Sequence, residues 1–171
     1  KDFKNCDIVF NALHGPIGED GTIQLWFEKN DINYTGSGPN SSAVCMDKNS
    51  SKKIIRDLGY HTPEWDLVGQ KINYSSIDYP CIVKPNSQGS TYGLSIVNNV
   101  GELNKAVNYA KKYDSKVLIE KYIYGREITV GILAGKALPI VEIKPQNDLY
   151  DYECKYKPGM SSYFCPAKIN D

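Results

Sequence analysis

The sequence predicts a mixed α/β fold, α+β in its middle part. Three observations predict it. An apolar run, Cys6–Leu13, flows through a glycine-rich turn into a segment of helical period. A second apolar run, Cys81–Val83, is joined by a small glycine-bracketed loop to a third, Leu94–Val97. A helical pattern over Glu102–Tyr113 separates these from later strand-like runs. Strands interleaved with helices indicate sheets covered by helices.

Taken in order, Cys6–Leu13 is almost continuously apolar, as expected of a buried strand in a parallel sheet. It leads into His14-Gly15-Pro16-Ile17-Gly18-Glu19-Asp20-Gly21. Ile23, Trp26 and Phe27 then fall at i, i+3 and i+4, on one face of a helix. Ligands of such units sit at the carboxyl ends of the strands, which places His14 and Glu19 where function concentrates. A purely structural reading stands beside it: Glu19 and Asp20 favour the helix N-terminus, and His14 caps the strand. Ile32–Gly36 is a short second strand, and Ser37–Asn40 is a turn. Ser41 or Ser42 caps a helix, and Asp47 starts or restarts one. Lys48, Lys52, Lys53 and Arg56 follow, with Ile54, Ile55 and Leu58 as apolar contacts. By position alone Lys48 is an ordinary solvated lysine. Gly59 suits the residue after a helix end, with Pro63 soon after.

Trp65–Val68 is expected as an edge strand and Gly69–Tyr79 as a polar connection. Cys81, Ile82 and Val83 begin a buried strand, and Lys84 is a buried cation at its end. Pro85 cannot donate to a ladder, so pairing should stop there. In the following segment Asn86–Gly93, Gly89 and Gly93 bracket Ser90, Thr91 and Tyr92. Glycine permits positive φ. The segment is either a plain hairpin turn or a loop whose N–H and hydroxyl groups converge on an anion. In the second case Lys84 is a point charge for phosphate. No Gly-Lys-Ser/Thr ends it, so it is not a Walker A loop. Leu94–Val97 returns as an antiparallel partner. Glu102–Tyr113 is an amphipathic helix with Leu103, Ala106, Val107 and Ala110 on one face. Lys116–Ile123 is the next strand. Its interior carboxylate, Glu120, is costly unless paired or bonded to a ligand. Gly125-Arg126-Glu127 leads into a strand over Ile128–Ala134, a hairpin turn at Gly135-Lys136, and a return over Ala137–Ile143. Tyr150–Gly159 reads as strand, then loop.

Composition narrows the function classes. The 171 residues suit one large domain or pieces of two. Lys plus Arg and Asp plus Glu balance at 20 each, so no global field favours nucleic acid or an anionic membrane. No run approaches the roughly 18 apolar residues of a membrane span, and the start of the chain has no signal-peptide core. The five cysteines, Cys6, Cys45, Cys81, Cys154 and Cys165, form no CxxC and are odd in number. They read as reduced thiols, mostly in apolar surroundings, not as a disulfide frame or zinc site. The tyrosines lie mostly in strand-like runs, so a core role is expected of them.

The order of motifs carries a resemblance. His14–Gly21, Tyr34-Thr35-Gly36-Ser37 and Met46-Asp47-Lys48 come first. Ile82-Val83-Lys84-Pro85 with Gly89-Ser90-Thr91-x-Gly93 follows, then Gly125–Val130, then Tyr150-Asp151-Tyr152-Glu153-x-Lys155-Tyr156. This ordered set resembles D-alanine–D-alanine ligases of the ATP-grasp superfamily over nearly the whole chain. The resemblance implies an incomplete ATP-grasp fold preceded by the end of a Rossmann-like, parallel-sheet N-terminal domain. The division it implies is 1–46 for the tail of the substrate-binding domain, 47–118 for the central ATP-grasp subdomain, and 119–171 for the start of the C-terminal one. It implies cytoplasmic ligation of two D-alanines through an acylphosphate for peptidoglycan precursors, using ATP and magnesium, by a homodimer as is common in the family. Lys48 and Lys84 match lysines that contact ATP phosphates. Gly89, Ser90 and Thr91 match the loop over them, with Ser90 also near the first D-alanine. Glu120, Lys121, Tyr122 and Ile123 match the adenine and ribose strand and hinge, and Glu127 a ribose-side carboxylate. His14 and Glu19 match the motif that places the first D-alanine. Lys155 and Tyr156 match a covering loop, where Lys155 meets phosphate and Tyr156 bonds toward Ser90. Ser90, Lys155 and Tyr156 are thus the expected catalytic groups.

Some residues depart from the family pattern. Leu25 stands where a small residue is usual, and Gln88 where many relatives carry glutamate. Nothing matches the family's opening Ser-x-Glu segment or its closing Arg-x-Asp and Glu-x-Asn segments, where magnesium ligands are expected. The resemblance therefore implies an internal portion of the enzyme, inactive alone. A nucleotide-binding module without catalysis, or a sibling ligase using D-lactate or D-serine, is the alternative.

Overall fold

The computed structural model describes residues 3–68 and 78–169. The connection expected over Gly69–Tyr79 therefore lies outside the described residues, apart from its last two. The chain forms two compact units, Lys1–Tyr122 and Ile123–Asp171.

In the first unit, a single 3-10 turn over Phe3–Asn5 precedes an extended segment. That segment is not the buried strand expected over Cys6–Leu13. It makes one parallel bridge, Val9 to Tyr34, and Ile8, Phe10 and Leu13 are exposed. A parallel strand is buried only when sheet and helices cover both faces, and here its one bridging partner is the short 33–35 segment. Helix α1 (Thr22–Lys29) follows Gly21, whose φ of 92° is left-handed. Phe27 is its buried apolar anchor, stacked on Tyr34. Helix α2 (Pro39–Met46) begins at Gly38 with Pro39 at its first position, so neither Ser41 nor Ser42 caps it. Proline's fixed φ and missing N–H suit that place. Asp47 does cap α3 (Lys48–Asp57), accepting from the Ser50 N–H at 2.8 Å. The helix ends in a Schellman turn: the Gly59 N–H donates to the Arg56 carbonyl, and the Tyr60 N–H to that of Ile55.

Four antiparallel strands follow: β1 (Trp65–Val68), β2 (Cys81–Pro85), β3 (Ser95–Val97) and β4 (Val117–Lys121). Their order is β1-β4-β2-β3, so β1 is at an edge, as expected. Pairing does not stop at Pro85: it opposes Val117, and the Asn86 N–H donates to the Lys116 carbonyl at 2.9 Å. Helix α4 (Val100–Ala110), capped by Asn99, packs on one face of the sheet. Cys81, Val83, Val97, Val117 and Ile119 meet Leu103, Ala106, Val107 and Ala110 there. Strand alternation sends the intervening residues to the opposite face. The register pairs Ile82 with Glu120, Lys84 with Leu118, and Trp65 with Glu120. Lys84 and Glu120 thus share the face that α4 leaves open.

The second unit contains a three-stranded antiparallel sheet of order β5-β8-β9 and a small hairpin. Its strands are β5 (Glu127–Thr129), β6 (Ile132–Leu133), β7 (Lys136–Ala137), β8 (Val141–Pro145) and β9 (Ser161–Phe164). The strand expected over Ile128–Ala134 breaks between β5 and β6. Gly131 marks the break, where its carbonyl accepts from the Leu138 N–H and a Cβ would stand 3.2 Å from Leu138 Cδ1. Tyr150–Gly159 is not strand then loop. Tyr152–Tyr156 forms a short helix, α5, capped by Asp151, whose carboxylate accepts from the Cys154 N–H at 2.9 Å.

All five cysteines are free thiols, but only Cys81 and Cys154 are buried. Burial pushes the Cys81 thiol up to about 11. Among the described residues, the core role expected of the tyrosines is met only by Tyr79, which is partly buried against the α4 core, while Tyr60, Tyr92, Tyr109, Tyr113, Tyr124, Tyr152, Tyr156 and Tyr163 are exposed. The Tyr79 hydroxyl is buried there without a hydrogen-bond partner, an arrangement that costs free energy.

Candidate functional site

The open face of the first unit's sheet gathers charge. Glu120, 9% exposed, bridges two lysines. Its Oε1 accepts from Lys84 Nζ. Its Oε2 lies 2.9 Å from Nζ of Lys52, which comes from α3. Lys52 Nζ also donates to Thr62 Oγ1 at 2.7 Å and sits 5.0 Å from the centre of the Trp65 ring. The paired carboxylate that the sequence demanded of Glu120 is therefore present. A cavity of about 280 Å3 opens beside it, lined by Glu64, Trp65, Asp66, Asp78, Ile119, Glu120 and Lys121. Lys84 is half-buried rather than fully buried.

Lys48, one turn before Lys52 on α3, is not a solvated helix lysine. Its Nζ donates to the Gln88 carbonyl at 2.6 Å and to the Asn86 carbonyl at 3.3 Å. Burial, aided by the nearby Lys84 charge, pushes it down to about 8. Asn86 is the node that brings α3 to the end of β2. It is fully buried; its carbonyl accepts from the Lys48 N–H at 3.1 Å and its Oδ1 from the Asn49 N–H at 2.9 Å. Neither Asn86 nor Lys52 stood out in the sequence as a site residue. The signal available was a polar residue directly after the buried Ile82-Val83-Lys84-Pro85 strand, and a lysine one turn from Lys48.

The segment after Asn86 is a tight, anchored loop. The Ser87 N–H donates to Asp114 Oδ2 at 2.7 Å, and Gln88 Nε2 donates to the Tyr113 carbonyl at 3.0 Å. Ser90 and Thr91 have φ of 52° and 65°, a region that non-glycine residues enter at a cost. Gly93, at φ 71°, could not carry a side chain: a Cβ would lie 2.6 Å from Tyr113 Cδ2 and 2.7 Å from Pro85 Cγ. Glu19 approaches the same loop, since a Cβ at Gly89 would lie 3.8 Å from its Oε2. That oxygen also accepts from the Gly15 N–H. So Lys48, Lys84, Glu120, Glu19 and the Gly89–Gly93 loop are gathered within one unit. The exposed His14 instead points Nδ1 at the Ala12 carbonyl, 3.0 Å away. Lys121 is exposed and its Nζ lies 3.8 Å from Asp78. The Tyr122 N–H donates to the Pro80 carbonyl, and Ile123 is exposed.

The chain matches the family model described as D-ala D-ala ligase N-terminus over residues 1–37, and the one described as D-ala D-ala ligase C-terminus over residues 61–171. The chain belongs to the D-alanine–D-alanine ligase family. It is 47% identical over 160 residues to the D-alanine–D-alanine ligase of Aquifex aeolicus, covering 92% of this chain and 55% of that protein. It is 45% identical over 165 residues to the ligase of Syntrophotalea carbinolica, covering 95% and 54%. The chain thus spans about half the length of the curated relatives it matches. Among solved structures, D-alanine–D-alanine ligase from Bacillus anthracis superposes with a TM-score of 0.81 at 43% identity, covering 94% of this chain and 55% of that one. The VanG D-Ala:D-Ser ligase from Enterococcus faecalis gives 0.81 at 31%, covering 96% and 51%. The B. anthracis enzyme complexed with ATP gives 0.77 at 38%, covering 92% and 52%. The fold is therefore that part of the ATP-grasp architecture of these ligases which the chain covers.

The second unit holds the remaining family-matched residues. Glu127 is exposed on β5. Lys155 and Tyr156 lie on α5, with Lys155 Nζ 5.3 Å from the Tyr150 ring centre and the Tyr156 ring 4.7 Å from that of Tyr152. Arg126 donates Nε and Nη2 to the two oxygens of Glu142, at 2.8 and 2.6 Å. These bonds hold the Glu142 carboxyl below the usual range. Among the described residues no group of three His, Cys, Asp or Glu could hold a metal ion.

Proposed function

We propose that the protein carrying this chain is an ATP-dependent ligase that joins two D-alanines for peptidoglycan precursors. The observation that carries the reading is Lys48 Nζ held on the loop after β2, with Lys84 at the end of β2 near enough for its charge to be felt, in a chain whose relatives are named D-alanine–D-alanine ligases. Two cations beside a tight loop form a clamp for phosphoryl oxygens, and such charge stabilisation is most effective where water is scarce. In this reading Lys48 and Lys84 hold ATP phosphates, the Gly89, Ser90 and Thr91 segment closes over them, and the strand at Glu120, Lys121, Tyr122 and Ile123 receives the adenosine, with Glu127 on the ribose side. His14 and Glu19 place the first D-alanine, whose carboxylate oxygen takes the γ-phosphoryl group as ADP departs. The amine of the second D-alanine attacks the acyl carbon, the bond to phosphate breaks, and phosphate leaves. Lys155 and Tyr156 belong to the covering segment that excludes water from the acylphosphate.

We assign 1–46, 47–118 and 119–171 to the substrate-binding, central and C-terminal parts, and place the enzyme in the cytoplasm as a magnesium-dependent homodimer. The curated relatives at 45–47% identity are named D-alanine–D-alanine ligases, which favours D-alanine as second substrate. The test is phosphate release from ATP by the full-length protein with D-alanine alone, and with D-serine or D-lactate added, together with detection of the dipeptide by mass. D-alanine-dependent release with D-alanyl-D-alanine as product is expected. ATP binding without release would leave only a nucleotide-binding module.

A further inference from the structure

Lys52 has no part in the reading above, yet it is one of the most buried cations described, at 8% exposure. A buried ammonium is unfavourable unless paired and hydrogen-bonded. Lys52 is both: Glu120 Oε2 lies at 2.9 Å and Thr62 Oγ1 at 2.7 Å. The other oxygen of Glu120 accepts from Lys84. One carboxylate is thus shared between a lysine at the nucleotide site and a lysine behind it. Lys84 stands close enough to Lys48 for the two charges to be felt, so where Glu120 holds Lys84 decides the spacing of the clamp. Without Lys52, both oxygens of Glu120 are left to Lys84, and the ammonium is drawn toward the carboxylate.

We propose that Lys52 is a positioning residue of the nucleotide site: it fixes one oxygen of Glu120 so that the other sets Lys84 for phosphate. The proposal rests on the assignment of Lys84 to ATP. A lysine that only staples α3 to the sheet would change stability, and would loosen binding of both substrates alike.

The experiment measures initial rates of the full-length protein against ATP and against D-alanine for wild type, K52M, K52Q and K52R. K52M and K52Q should raise KM for ATP by about tenfold or more, with kcat and KM for D-alanine within roughly threefold. K52R, which keeps a cation for Glu120, should return KM for ATP to within roughly threefold of wild type. An unchanged KM for ATP in the charge-removing variants overturns the proposal. So does a parallel rise in both KM values, or no recovery in K52R. If K52M does not fold, K52Q decides, since its amide keeps a bond to Thr62. A wild type that turns over no ATP overturns the underlying assignment, and this proposal with it.

Discussion

Lys48 is held at about 8 by burial and by the charge of Lys84, far below an ordinary lysine. Below that pH it is charged, the form that the proposed phosphate contact needs. As pH rises through about 8 the free protein loses the charge, so ATP affinity should fall, by about tenfold between pH 7.5 and 9.5. Calorimetric titration across that range checks it, with K48R expected to flatten the dependence because arginine stays charged. Gly93→Ala belongs to the same scale. The left-handed φ and the 2.6 and 2.7 Å approaches leave no room for a methyl, and the change should cost about 1–3 kcal/mol in urea unfolding. Lys84, Glu120 and Gly93 were legible from the chain because their residue types are anomalous where they stand: a cation and a carboxylate in apolar strands, a glycine closing a turn. Lys52 and Asn86 were not. Their meaning comes from partners far along the chain, Glu120 for one and the start of α3 for the other, and no local pattern reports such contacts.

Elements were legible where one face is buried by a regular neighbour. The α4 pattern of Leu103, Ala106, Val107 and Ala110 reproduces the packed face residue for residue. Leu103 is 1% exposed, so Leu103→Ala should lower unfolding free energy by about 2–5 kcal/mol, measured by denaturant titration. Local capping decided the places that periodicity misread. Over Tyr150–Gly159, alternating tyrosines imitate a strand, but Asp151 accepts the Cys154 N–H and starts α5. Asp151→Ala should therefore cost about 1 kcal/mol and loosen Lys155 and Tyr156. Cys6–Leu13 failed for the opposite reason: apolar composition predicts burial only when other elements arrive to cover it.

At the scale of the molecule, the chain covers a little over half of its curated relatives, and within it the charged face of one sheet, the start of α3 and one loop bring Lys48, Lys52, Lys84 and Glu120 together. Family membership was legible from the order of the motifs, since each short motif alone is weak. The central claim is that Lys48 and Lys84 bind nucleotide phosphate. The measurement that tests it most directly is the affinity of the full-length protein for a non-hydrolysable ATP analogue in wild type, K48M, K84M and K105M, the last an α4 lysine remote from the clamp. The account predicts that K48M and K84M each weaken binding by about tenfold or more, with K105M unchanged. Equal affinity in all four would contradict it.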